Sequence, residues 1–229
     1  MISNVMIHQP EYFPWTNLFL KMLECNKFIF LDSVQYSRRS FQNRNMLAKD
    51  GNVFYITVPI KYAHRDTLIR DIKIDNSKRW IEDHIKNFHH CYKKTKFFKT
   101  VLDVIENEYY KYYQYLNELN QGLIKTLAKK MEMKCDFFSS TELGAIGKKS
   151  ELILNLCEKT NAQKYITGSG SKSYLDEEKF EKKKIKINYL EPKNFVYFQE
   201  NSKIKFINNL SILDYLFNLG FEEFKKIKV

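Results

Sequence analysis

No apolar run in this chain approaches the roughly 20 residues needed to cross a bilayer, and the first residues lack the charged start, apolar middle and small-residue cleavage site of a signal peptide. A cytoplasmic protein is expected. The four cysteines (25, 91, 135, 157) are far apart and form no C-x-x-C pair, so they read as buried thiols; none has a local base to activate it as a nucleophile. Neither the G-x-x-x-x-G-K-[ST] phosphate loop nor the G-x-G-x-x-G dinucleotide fingerprint is present. His84, His89, His90 and Cys91 form no i, i+4 histidine pair on a helix, so no metal site is expected.

Arginine is also scarce. Of 38 basic residues only six are arginines, at 38, 39, 44, 65, 70 and 79. Lysine is the default cation, so arginine persists where a planar fork must grip a carboxylate or phosphate. Three of the six lie between 38 and 44; a structural pair with Asp32 or Asp71 is the plainer alternative. The net charge of +11 fits a nucleotide-sugar, an acidic lipid or an RNA about equally, because much of the excess sits in lysine runs at 182–186 and 225–228 that read as solvated surface.

What the chain does have is 44% hydrophobic residues, ample for a core, in a pattern that predicts an α/β fold: a mixed or parallel sheet with a central helical segment. The expected organisation is an N-terminal α/β part (1–76), a helical segment (77–131) with Ser77 as cap and a break near 106–109, and a C-terminal α/β part (132–229) completing the same domain. Strands are expected at Val5–Ile7, Phe28–Leu31, Val53–Pro59, Ile69–Ile74, Cys135–Ser139, Lys164–Thr167, Ile185–Leu190 and Phe195–Gln199. Helices are expected around Leu18, Phe19, Met22 and Leu23, from Ser150, and from Ser211 to a stop at Gly220.

In open α/β sheets ligands bind beyond the carboxyl ends of the strands, where two polar clusters fall. The first is His8-Gln9-Pro10-Glu11-Tyr12-Phe13-Pro14-Trp15. His8 suits proton transfer or phosphate binding, Gln9, Glu11 and Tyr12 line the same mouth, and Trp15 offers a stacking face. The second runs from Asp32 to Asn45: Asp32 is a candidate orienter of His8 or sugar-hydroxyl ligand, Gln35 and Tyr36 are substrate contacts, Arg38, Arg39 and Arg44 are anion grips, and Gln42 and Asn43 are polar ligands or oxyanion donors. Gly168, Ser169, Gly170 and Ser171 follow a strand and either cradle an anion through backbone N–H groups or make a tight turn needing positive φ.

The motifs His8-Gln9-Pro10-x-Tyr12-x-Pro14-Trp15, Phe30-Leu31-Asp32-x-Val34-Gln35-Tyr36, Gln42-Asn43-Arg44-Asn45 and Thr57-Val58-Pro59, with Tyr165-x-x-Gly168, Tyr174-Leu175 and Ser211-x-Leu213-Asp214, resemble the WbqC-like family nearly end to end. The resemblance implies a place among bacterial genes for O-antigen and other surface polysaccharides, and a glycine or aminoacyl transferase acting on an amino sugar. The expected reaction is aminoacyl or acyl transfer to the amine of a nucleotide-linked sugar, with a nucleotide-sugar as partner and aminoacyl-tRNA as a candidate donor. Nucleotidyl transfer from ATP is the enzymatic alternative and RNA binding the non-enzymatic one. No cofactor is indicated.

Overall fold

The computed structural model describes residues 2–192, 195–200, 202 and 205–227. Five strands, β1 (Asn4–His8), β2 (Lys27–Phe30), β5 (Asp136–Ser139), β6 (Lys164–Gly168) and β7 (Lys186–Leu190), form one sheet in the order β5-β2-β1-β6-β7. Every pairing in it is parallel. Parallel strands bury both faces, which is why these segments read as apolar runs. Met6, Phe28, Phe30 and Ile166 face one core and Val5, Ile7, Ile29 and Tyr165 the other.

The larger core is covered by α1 (Thr16–Met22), α2 (Trp80–Tyr92), α3 (Phe98–Tyr109), α4 (Leu116–Lys130) and α7 (Ile212–Lys225), the smaller by α5 (Ser150–Lys159) and α6 (Glu177–Lys182). The fold is therefore doubly wound. From β1 the chain moves to β2 on one side, and later returns to β6 on the other, so the direction reverses between β1 and β6.

Several expectations need correction. The polar loop expected to run to Asn45 gives way at Arg44 to β3 (Arg44–Lys49), which pairs antiparallel with β4 (Asn52–Thr57) as a separate hairpin. Ile69–Asp71 is a 3₁₀ turn, not a strand; Ile69 and Ile72 point inward, and only Lys73 and Ile74 make isolated bridges. Ser77 does not cap α2, because its hydroxyl donates to Asp75 at 2.6 Å and the helix begins at Trp80. The helical segment breaks twice, after Tyr92 and after Tyr109.

Phe195–Gln199 has no strand partner among the described residues; its Tyr197 and Gln199 side chains instead donate to the buried Asp214 carboxylate at 2.8 and 2.9 Å. Gly220 ends the first part of α7 as expected, but a further turn follows across its kink (φ 78°, ψ 178°). Lys228 lies outside the described residues. Among those residues no helix is long and apolar enough to cross a membrane.

Candidate functional site

The carboxyl ends of β1 and β6 splay apart at the reversal point, and a crevice of about 310 Å³ opens there. Such switch points are where doubly wound sheets bind ligands. Its polar wall carries His8, Gln9, Glu11 and Lys21 from the first strand, loop and helix, and Thr167, Gly168, Gly170 and Ser171 from the β6 end. Trp15, Leu18 and Tyr174 supply apolar surface.

The loop from His8 to Trp15 is held from outside by side-chain amides. Asn120 donates to the Pro10 carbonyl at 3.0 Å, and Asn45 donates to those of Tyr12 and Phe13 at 3.0 and 2.7 Å. Ser211, the cap of α7, donates its hydroxyl to the Phe13 carbonyl at 2.9 Å. These contacts hold Phe13 at φ 41°, a region where bulky residues are outliers. Tyr12 does not line the crevice: it is buried, and its hydroxyl meets Tyr109 and His84 Nδ1, the latter at 2.7 Å. His84 donates from Nε2 to the Thr57 carbonyl at 3.2 Å, so Nδ1 accepts from Tyr12. Burial pushes the His84 pKa down to about 4, and the ring is neutral.

His8 Nδ1 lies 2.8 Å from the Gln9 carbonyl. A carbonyl can only accept, so Nδ1 carries a proton, and in the neutral ring Nε2 is then the atom with the lone pair, the form a general base needs. The backbone of its neighbour thus orients His8, and Asp32 does not. Asp32 is buried at the end of β2, where Oδ1 accepts from the Ser140 and Thr141 hydroxyls at 2.8 Å each and from Thr141 N at 3.0 Å. Asn117 donates to Oδ2 at 3.2 Å. The carboxylate therefore ties β2, the turn after β5 and α4 together.

Glu11 accepts no hydrogen bond among the described residues. Burial raises its pKa, with the positive charge of His8 in its protonated form acting the other way. Lys21 is half-buried, and that burial lowers its pKa against the opposing pull of Glu191. A Cβ on Gly168 would come within 3.0 Å of Lys21 Nζ. Glycine at 168 thus makes room for the amine; its φ is −90°, so the positive-φ explanation does not hold. Lys21 escaped the sequence reading because one lysine among so many carries no signal.

Residues 169–173 form a 3₁₀ turn braced from within. Tyr165 OH donates to Thr167 Oγ1 (3.3 Å), Thr167 to Ser171 Oγ (3.1 Å), and Ser171 to the Gly168 carbonyl (2.8 Å). Ser169 turns outward to Glu191.

The second cluster surrounds a different space. Arg38, with Gln35, Tyr36 and Arg65, lines a cleft of about 710 Å³, and Arg38, Arg39, Asn43 and Arg44 line an adjoining one of about 390 Å³. Among the described residues none of these four arginines pairs with a carboxylate; Arg38 donates to the Ala63 carbonyl at 2.8 Å and Arg44 to that of Arg39 at 2.6 Å. Asn43 is buried and donates from its amide to the Val58 carbonyl (3.0 Å), which holds it in the wall of the cleft. Gln35 donates to the Arg65 carbonyl. Gln42 accepts from Ser37 N at 3.1 Å and donates to Gln9 Oε1 at 2.7 Å, joining the cleft wall to the crevice wall. No group of three or more His, Cys, Asp or Glu side chains among the described residues is placed to hold a metal.

Fold and crevice together define a doubly wound α/β protein with a polar pocket, lined by His8, Glu11 and Lys21, at its switch point. The chain belongs to the WbqC-like protein family, whose model matches residues 9–226. It is similar to an uncharacterized protein of Mycobacterium tuberculosis (strain ATCC 25618 / H37Rv), 27% identical over 223 residues, which is 96% of each chain. No solved structure matches it.

Proposed function

We propose that the protein is a transferase of bacterial surface-polysaccharide (O-antigen) synthesis, joining an aminoacyl or related acyl group to the amine of a nucleotide-linked amino sugar. The observation that carries this reading is the trio His8, Glu11 and Lys21 in one switch-point crevice, with His8 in its base-competent tautomer.

The acceptor arrives as an ammonium and must lose a proton before its nitrogen can attack a carbonyl. Glu11, which accepts no hydrogen bond among the described residues, receives the ammonium, and His8 Nε2 takes its proton. Attack places negative charge on the carbonyl oxygen, which the Lys21 amine, in surroundings poorer in water than bulk, stabilises. Trp15 supplies a stacking face for the ring or base, the Gly168–Ser171 turn lines the opposite wall, and Arg38, Arg39 and Arg44 in the neighbouring cleft are anion grips outside the crevice itself.

The test is incubation of the purified protein with nucleotide-linked amino sugars and aminoacyl donors, read by mass spectrometry. A product heavier by one aminoacyl residue supports the reading, and its absence with every donor overturns it. A second reading, nucleotidyl transfer from ATP, is favoured by one feature: a histidine at the end of β1 beside a switch point, where nucleotides bind in such sheets. Pyrophosphate release dependent on His8, with no acyl product, would replace the first reading by the second.

A further inference from the structure

We infer that the arginine cleft is a docking site for the single-stranded 3′ end of an RNA, which would present the aminoacyl donor to the neighbouring crevice. The inference rests on the transferase reading and names its donor class. Four of the six arginines, 38, 39, 44 and 65, border two adjoining cavities that share Tyr36, Arg38 and Tyr62. In a chain that otherwise uses lysine, this concentrates planar phosphate-binding forks at one place. None of the four is neutralised by a carboxylate among the described residues, and Arg44 Nε is buried without a partner.

Aromatic side chains stand among these cations in the open. Tyr62 is 83% exposed and set edge-on to His64, and Tyr55, 47% exposed, has the Arg44 guanidinium 4.4 Å from its ring centre. Exposed aromatic faces interleaved with arginines are the surface on which unstacked bases and their phosphates bind. A duplex keeps its bases stacked on one another and would leave these rings unused, and so would an acidic peptide.

The geometry suits two substrates meeting. The buried Gln42 accepts from Ser37 of the cleft and donates to Gln9 of the crevice, so the two sites adjoin through one side chain, and the aminoacyl end of a strand lying along the arginines would reach the crevice across it. The amine nitrogen then attacks the ester carbonyl of the aminoacyl group. The new C–N bond forms, the C–O bond to the terminal ribose breaks, the departing ribose oxygen takes the proton that His8 removed from the ammonium, and the second proton shed by the nitrogen as the amide forms passes to solvent.

Fluorescence anisotropy with a labelled, unstructured 12-nucleotide RNA tests this. Saturable binding should weaken with salt along a log–log slope of about −2 to −3, as expected for three or four phosphates at roughly 0.7 each. Arg38→Ala with Arg65→Ala should reduce the slope by about 1.4, and Tyr62→Ala should weaken binding roughly 5- to 100-fold at unchanged slope. All three side chains are on exposed residues, so folding should survive. His8→Gln should bind RNA as the wild type does. Absence of saturable binding, indifference to these substitutions, equal affinity for a duplex, or displacement by uridine diphosphate at stoichiometric concentration would each overturn the inference. Acyl transfer from a donor other than RNA, with no RNA bound, would leave the transferase reading standing and remove this one alone.

Discussion

The amine of Lys21 approaches Gly168 so closely that a single added methyl carbon would lie 3.0 Å from it. The contact spans the crevice from α1 to the end of β6. Gly168→Ala should therefore displace the amine, and since the obstructing atom is the far end of a flexible side chain, the melting free energy should change by no more than about 0.5 kcal/mol. Turnover should fall roughly 10- to 100-fold, the scale on which a misplaced catalytic group acts. Lys21→Met should lose roughly 10²- to 10³-fold in kcat, as for loss of an oxyanion donor. Full activity in both variants would remove Lys21 from the reaction.

His8→Gln should lower the saturated rate by roughly 10²- to 10⁴-fold while leaving KM close to that of the wild type. A raised KM with an unchanged rate would instead make His8 a phosphate ligand. A lowered melting temperature with neither kinetic change would make it a purely structural residue.

Glu11 gives a pH signature. Its pKa in the fold lies above the ordinary carboxylate value, so the folded state binds the proton more tightly than the unfolded state does. Stability then falls as pH rises from the ordinary carboxylate range through the raised value. Glu11→Gln should melt higher than the wild type at pH 7, and the difference should close below about pH 4, where the acid is protonated in both states. Melting curves across that range, with the acceptor KM at pH 7, check both halves, because the variant should also bind the ammonium less well.

His84 works in the opposite sense. Its pKa falls to about 4 in the core, against about 6.5 when unfolded, so stability present above pH 6.5 is lost as pH falls toward 4, by about 3 kcal/mol in total. Urea melts of the wild type and His84→Gln should converge over that window. The Tyr12 contact should transmit the change to the loop behind His8, so activity should decline in acid partly through this buried ring.

The parallel sheet was legible because strands buried on both faces are nearly continuous apolar runs, as in Val5-Met6-Ile7 and Phe28-Ile29-Phe30. The hairpin strand Arg44–Lys49 was not: its Arg-Asn-Met-Leu-Ala-Lys order shows neither period-two alternation nor a β-branched residue, and it begins inside a motif dense in functional groups. At the site, residue type announced His8 and the arginines, since few of either exist. It could not separate residues that line a cavity from those that build its walls. Tyr12 and Asp32 are buried, each holding a neighbouring segment through its polar atoms, and only the folded geometry shows this. Lys21 is the converse case, a common residue made particular by a glycine 147 positions away.

The central strand of the sheet is also the first to leave the ribosome. β1 finds β2 within about 20 residues, but the other edge of β1 pairs with β6, where Met6 meets Ile166. At ordinary synthesis speeds of 5–20 residues per second that partner arrives roughly 10 to 30 s later. Throughout that interval the nascent chain displays a short apolar strand with one open edge, the kind of feature that recruits wrong partners. The crevice has no second wall until β6 docks, so a truncated chain ending before residue 164 would carry His8, Glu11 and Lys21 and still have no pocket in which to use them.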